Sequence, residues 1–160
     1  MSKTTYVSEP HFDITINFAT KSPLHLKNAS IWLNINNEDN WELVTTNLFG
    51  SYDDTIIKIM DWDKEVEWYM FLKNTSIFVK TDEIIINTFT NFNEFVKAKK
   101  TINIEAKLKS VSKEIDYYSA KQNFGLVFDQ FIKLNTLRNE KYKLKMIKLL
   151  NLVPGENYEW

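Results

Sequence analysis

The stretch Thr101-Ile102-Asn103-Ile104-Glu105-Ala106-Lys107-Leu108-Lys109-Ser110 alternates apolar and polar side chains along most of its length. A period of two puts one row of side chains in a core and the other in water, which predicts a β-strand over 101–110. This reading decides the fold. Before it the chain keeps that period, and after it the chain abandons it.

Working back towards the N-terminus, Ile14, Ile16 and Phe18 alternate with polar neighbours from residue 13 onwards, and Ile31, Leu33 and Ile35 repeat the pattern. The polar run Asn36-Asn37-Glu38-Asp39-Asn40 reads as a turn, with Trp41, Leu43 and Thr45 on the returning strand, so 30–46 is expected to be a hairpin. Further strands are expected at about 55–61, 65–73 and 76–88, the last broken at Thr81-Asp82, with a tight turn at Lys73-Asn74. Spacers this short favour antiparallel pairing, because parallel strands need long crossovers. A short helix is expected over 91–99, with Asn91 as cap, Glu94 three residues on, and Phe92, Phe95 and Val96 as its buried stripe.

Beyond residue 110 the period changes. Phe124, Val127, Phe128, Phe131 and Leu134 recur at helical spacing, as do Tyr142, Met146, Leu149, Leu150 and Val153, and Pro154-Gly155 stops the pattern. Residues 141–146 also alternate, Lys-Tyr-Lys-Leu-Lys-Met, as a strand would. The apolar pattern runs on to Val153, which is too long for an ordinary strand and favours helix. Two helices are therefore expected, at about 117–136 and 138–153.

Strands first and helices last, without βαβ alternation, predict an α+β fold. The expectation is a single domain over residues 1–160, with an antiparallel sheet of about six to seven strands between residues ~13 and ~110 and the helices covering one face. Residues 1–12 read as a loose lead-in and 154–160 as a tail.

Composition narrows the chemistry. The chain of 160 residues has no cysteine, which removes disulfide scaffolds, thiol catalysis and iron–sulfur clusters. A domain of this size buries about 70% of its unfolded surface and needs no such staple. The N-terminus lacks an apolar leader of the secretory kind, and no run reaches the roughly 20 apolar residues of a spanning helix. A cytoplasmic location and no membrane role are expected. Three isolated glycines, Gly50, Gly125 and Gly155, build no phosphate loop, dinucleotide fingerprint or nucleophile elbow. His11 and His25 lack metal-ligand spacing on a helix and read as ordinary loop or strand-end residues. No catalytic residue, cofactor or metal is expected.

Net charge is −1 but unevenly spread. Residues 1–96 hold 7 Lys/Arg against 14 Asp/Glu, and residues 97–160 hold 13 against 7. A basic helical layer over an acidic sheet would explain that split; so would faces that meet different partners. Lysines dominate the basic half and Arg138 is the one arginine, so nucleic-acid readout is disfavoured.

The conspicuous segment is Asp61-Trp62-Asp63-Lys64-Glu65-Val66-Glu67-Trp68. If extended, it lines up Asp61, Asp63, Glu65 and Glu67 on one face, about 6.6–6.8 Å apart, with Tyr69 beyond them. Such a stripe can be the solvated face of an edge strand, a recognition surface for a basic partner, or a carboxylate site. Asp53 and Asp54 would extend it if their loop lies nearby. The leading expectation is a non-enzymatic protein-binding inhibitor of the immunity or antitoxin type. It would neutralise a basic partner, such as a nuclease toxin, through Asp53, Asp54, Asp61, Asp63, Glu65, Glu67 and Tyr69. The alternatives are a small-molecule-binding domain with an aromatic-lined pocket and a carboxylate-dependent hydrolase.

Overall fold

The computed structural model describes residues 10–46 and 48–156. Most of the expected lead-in, and the end of the tail with Tyr158 and Trp160, lie outside the described residues. The described residues divide into two compact units, one formed by those up to residue 96 together with those from 154 onwards, the other by 97–153.

The first unit is a barrel, not an open sheet. Its strands are β1 (Phe12–Asn17), β2 (Leu24–Asn34), β3 (Trp41–Leu43), β4 (Phe49–Asp61), β5 (Val66–Val79) and β6 (Glu83–Thr88). β1 pairs with β2, β2 with β4, β4 with β5 and β5 with β6, all antiparallel. β6 then returns to β1, from Asp13↔Glu83 to Asn17↔Asn87, and closes the ring. This closing pair is parallel, as it must be: five strands alternating in direction bring the first and last into the same orientation. Closure removes the sheet edges that would otherwise template further pairing. The expected open sheet under a helical layer is therefore corrected to a five-stranded barrel with β3 added beside β2.

One face of each strand fills the interior. Phe12, Ile14 and Ile16 of β1, Ile31 and Leu33 of β2, Ile57 and Ile59 of β4, Met70 and Leu72 of β5, and Ile84 and Ile86 of β6 form one buried cluster. The branched aliphatics suit a small barrel, where every inward position must be packed. β5 runs unbroken through Lys73-Asn74, where a turn was expected. Asn74 instead takes a left-handed φ of 48°. The inward residues switch there from Trp68, Met70 and Leu72 to Ile77 and Val79, so the turn-forming asparagine inverts the faces of a continuing strand.

Three further expectations fail. The helix expected over 117–136 is interrupted at 123–127, so the two helices divide there and not near residue 137. Residues 91–99 are not helical; they run irregularly into β7 (Phe95–Lys97), which meets β5 at Tyr69↔Phe95. Residues 101–110 are not a strand. Helix α1 (Glu105–Gln122) begins inside them, after the Asn103 side chain accepts the Glu105 N–H at 3.1 Å. Glu105, Ala106, Lys107, Leu108 and Lys109 are all strong helix formers, and that preference overrides a short alternation.

The second unit is an αα-hairpin of α1 and α2 (Phe128–Leu150), joined through Gly125 at φ 90°. Residues 138–148 are helical throughout, as their longer apolar pattern implied. α2 ends at Asn151, which is left-handed at φ 55°. The Asn151 side chain accepts the Ile102 N–H at 2.9 Å and donates to the Lys100 carbonyl at 3.1 Å, tying the lead into α1 to the end of α2. The last strand is β8 (Leu152–Pro154). No described helix is long and apolar enough to cross a membrane.

Candidate functional site

The acidic segment does not form one strand face. Residues 62–65 turn the chain from β4 into β5, with Glu65 at φ 53°. The Asp61 carboxylate is buried beneath that turn and accepts the N–H groups of Asp63 at 3.1 Å and Lys64 at 3.3 Å. A short acid that satisfies turn amides is a local structural device. The turn is also fastened from the side. Trp62 donates its indole N–H to the Ser30 hydroxyl at 2.9 Å and stacks on His11 with centroids 5.0 Å apart. Asp63 accepts from the Asn28 amide at 3.1 Å. His11 is thus a stacking residue, and His25 lies with its Nδ1 3.2 Å from the Thr15 hydroxyl.

Glu67 and Tyr69 lie past the turn, on the outer face of β5. The Tyr69 hydroxyl donates to Glu67 at 2.9 Å. Burial, and then that acceptor, push the phenol pKa well above its ordinary value, so it stays a proton donor. Its ring meets Trp41 at 5.5 Å, and the Trp41 indole donates to Asp39 at 2.8 Å. In register beside Tyr69 stands Lys58, whose ammonium sits 4.8 Å from the Trp32 ring centre and 5.2 Å from that of Trp41. These contacts lock a rigid row of aromatics with a cation between them.

Asp53 and Asp54 do not join this group. They lie on β4 at least seven residues before Asp61, about 23 Å along a strand. Asp54 sits across from Lys73, and Asp53 lines a separate hollow of ≈ 490 Å³ of mixed character, with Ser51 and Asn87 beside Phe18 and Phe89.

The structure does assemble something the sequence did not reveal. Leu24 and Leu26 of β2, Trp68 of β5, and Phe92, Val96 and Pro154 wall a cleft of ≈ 430 Å³ in the first unit. Trp68 and Phe92 meet at 6.0 Å, and Phe18 packs edge-on against Phe92. Carboxylates of Asp61, Glu94 and Glu156 line the same cleft, opposed by Lys64 as the one cation. Gly155 lets the far wall approach. Its N–H donates to the Glu94 carbonyl at 2.8 Å, and a Cβ added there would fall 2.5 Å from the Glu94 carboxylate. Asp63 and Glu65 lie on the turn that also supplies Lys64. The site is therefore an apolar aromatic floor under an acidic rim, built from chain segments some sixty to ninety residues apart in places. No local pattern announces such a site: Glu94 reads in the sequence only as part of a helix cap, and Glu156 carries no signal at all. Among the described residues no group of three or more His, Asp or Glu converges as metal ligands would.

Comparison with other proteins matches both units. Residues 13–93 match the profile described as the UU051 N-terminal domain, and residues 105–155 that described as the C-terminal domain of the uncharacterised protein UU051. The chain is 30% identical over 155 residues to "Uncharacterized protein UU051" of Ureaplasma parvum serovar 3, covering 93% of this chain and 91% of that protein.

Proposed function

We propose that this chain, which belongs to the UU051 family, is a non-enzymatic protein-binding module that holds a basic segment of a partner in the Trp68–Phe92 cleft. The observation that carries this reading is the pairing of an apolar aromatic floor with the Glu94 and Glu156 carboxylates at its rim, and Glu65 on the adjoining turn, against one lysine of the lining. A long basic side chain has an apolar stem and a charged end, and such a cleft matches both. Aromatic walls give affinity at low entropic cost, and rim acids speed and orient association with a cationic surface. The inhibitor role, of the immunity or antitoxin type against a basic toxin or effector, is the biological form we propose. The cysteine-free composition supports a reducing compartment, and we place the protein in the cytoplasm.

The test is affinity capture from the source cells, followed by calorimetry with the recovered partner. Charge reversal belongs at Glu65, Glu94 and Glu156, not at Asp61, whose carboxylate is engaged in holding the turn. The triple variant should keep its melting temperature and weaken binding by at least about thirtyfold, roughly 2 kcal/mol. Equal affinity of wild type and variant would sink the reading.

The cleft volume supports a second reading, a small-molecule site, because ≈ 430 Å³ lies within the usual range of ligand pockets. Thermal stabilisation by a metabolite, lost in Trp68→Ala, would favour it over a protein partner.

A further inference from the structure

We infer that the α1–α2 turn end of the helical unit is a self-association surface through which two copies of this chain pair. The turn end leaves its large apolar side chains in water: Phe124 is 93% exposed, Phe128 77%, Val127 65%, Ile132 48% and Phe131 45%. They lie within nine consecutive residues, on the loop and the first turns of α2. The hairpin buries little elsewhere, one residue of α1 and four of α2. Helices of this length draw their stability from a packed face, and two alone do not enclose a core.

Area and charge point to a second copy as the occupant. At about 200 Å² per phenylalanine side chain, the three phenylalanines alone leave roughly 430 Å² exposed, within the roughly 300–600 Å² of a monomer's largest apolar patch, which is often a functional one. Two such patches face to face, with Val127 and Ile132 added, approach the lower edge of about 1,200 Å² for a specific interface. Charge then selects among partners. The helical unit, residues 97–153, holds 13 cations and 5 anions, a net +8. Residues 117–137 contribute only Lys121, Lys133 and Asp129, a net +1, so the remaining +7 lies away from the turn. An anionic bilayer or a phosphate backbone would be drawn to the other end. The turn end is the one part of this unit where two copies can meet without strong repulsion. It also carries both signs of charge beside the apolar patch, as a self-complementary contact needs.

Sedimentation velocity on the full chain, from roughly 5 to 200 µM, reads this directly. Wild type should pass from monomer to dimer mass with concentration. Phe124→Ser with Phe128→Ser should raise the dimer dissociation constant by at least about tenfold while helix content and melting temperature hold, because both side chains are exposed. A monomer at every concentration overturns the inference, and so does a dimer indifferent to the two substitutions. Vesicles of phosphatidylglycerol that pellet a monomeric wild type, and not the variant, would overturn it in favour of a lipid contact.

Discussion

The Asn93 side chain pairs with the main chain of Phe71 on both sides, accepting its N–H at 2.8 Å and donating to its carbonyl at 2.9 Å. A carboxamide has the donor and acceptor of a peptide group, so Asn93 acts as one rung of a missing strand. The gap it fills is real. Along β5, β6 pairs from Thr75 onwards and β7 pairs at Tyr69, while the Thr90 hydroxyl accepts the Lys73 N–H between them at 2.6 Å. Asn93 is buried, so Asn93→Ala removes both hydrogen bonds that its side chain makes to the main chain of Phe71 in a site shielded from water. It should lower the unfolding free energy by about 2–4 kcal/mol in a urea titration. Asn93→Asp should cost at least as much, because it keeps the acceptor but loses the donor and buries a charge. A change below about 0.5 kcal/mol for Asn93→Ala would show that water replaces the rung.

Tyr69 makes stability depend on alkaline pH. Its phenol pKa lies above 10 in the fold, first through burial and then through the Glu67 hydrogen bond. The unfolded chain loses this proton near pH 10 while the folded chain keeps it. The contribution is fully present below the unfolded value and is lost as pH rises through the folded one. Above pH 10 the unfolding free energy should therefore fall by up to about 1.4 kcal/mol per pH unit from this residue. Tyr69→Phe should flatten that part of the slope and leave the smaller part due to Tyr52, whose pKa is also raised. Stability curves between pH 8 and about 11 check this; parallel slopes in the two proteins would refute it.

Asn151 combines a left-handed backbone with two side-chain hydrogen bonds to the segment before α1. Glycine relieves the backbone cost but loses both bonds; alanine loses both and retains the cost. The expected order of stability is Asn151, then Gly, then Ala, with steps of about 1 kcal/mol each. Helix melting followed by circular dichroism ranks the three. Alanine more stable than glycine would mean that the left-handed turn is not what this position supplies.

The strands were legible because alternation reports which side chains face a core, and Ile14, Ile16, Ile31, Leu33, Ile84 and Ile86 all do. Closure was not legible, since the same alternation serves an open sheet, and the β1–β6 pairing joins residues seventy positions apart. The error at 101–110 came from weighting Ile102 and Ile104 over the helix formers that follow them. At 91–99 the Asn91–Glu94 spacing and the Phe92, Phe95, Val96 stripe mimic a capped helix, while the Asn93 side chain, which stands in for main chain beside Phe71, holds the segment irregular. Of the acidic stripe, each carboxylate was found, but a turn at 62–65 breaks the period that was to align them. The partners that give Asp61 a cleft, Glu94 and Glu156, come from distant chain.

Gly155 tests whether that cleft is the working surface. An added Cβ would overlap the Glu94 side chain, with Oε1, Cδ and Cγ all within 2.7 Å. Those atoms belong to a flexible side chain that can swing aside, so Gly155→Ala should change the melting temperature by no more than a few degrees. The displaced carboxylate would leave the rim, and partner affinity should fall by about tenfold, close to the effect of Glu94→Gln alone. If the glycine acts only through Glu94, the two changes together should do no more than either one. A double-mutant cycle measures this coupling. Additive losses would mean that Gly155 shapes the wall independently of the acid, and no loss from either would place the partner elsewhere on the molecule.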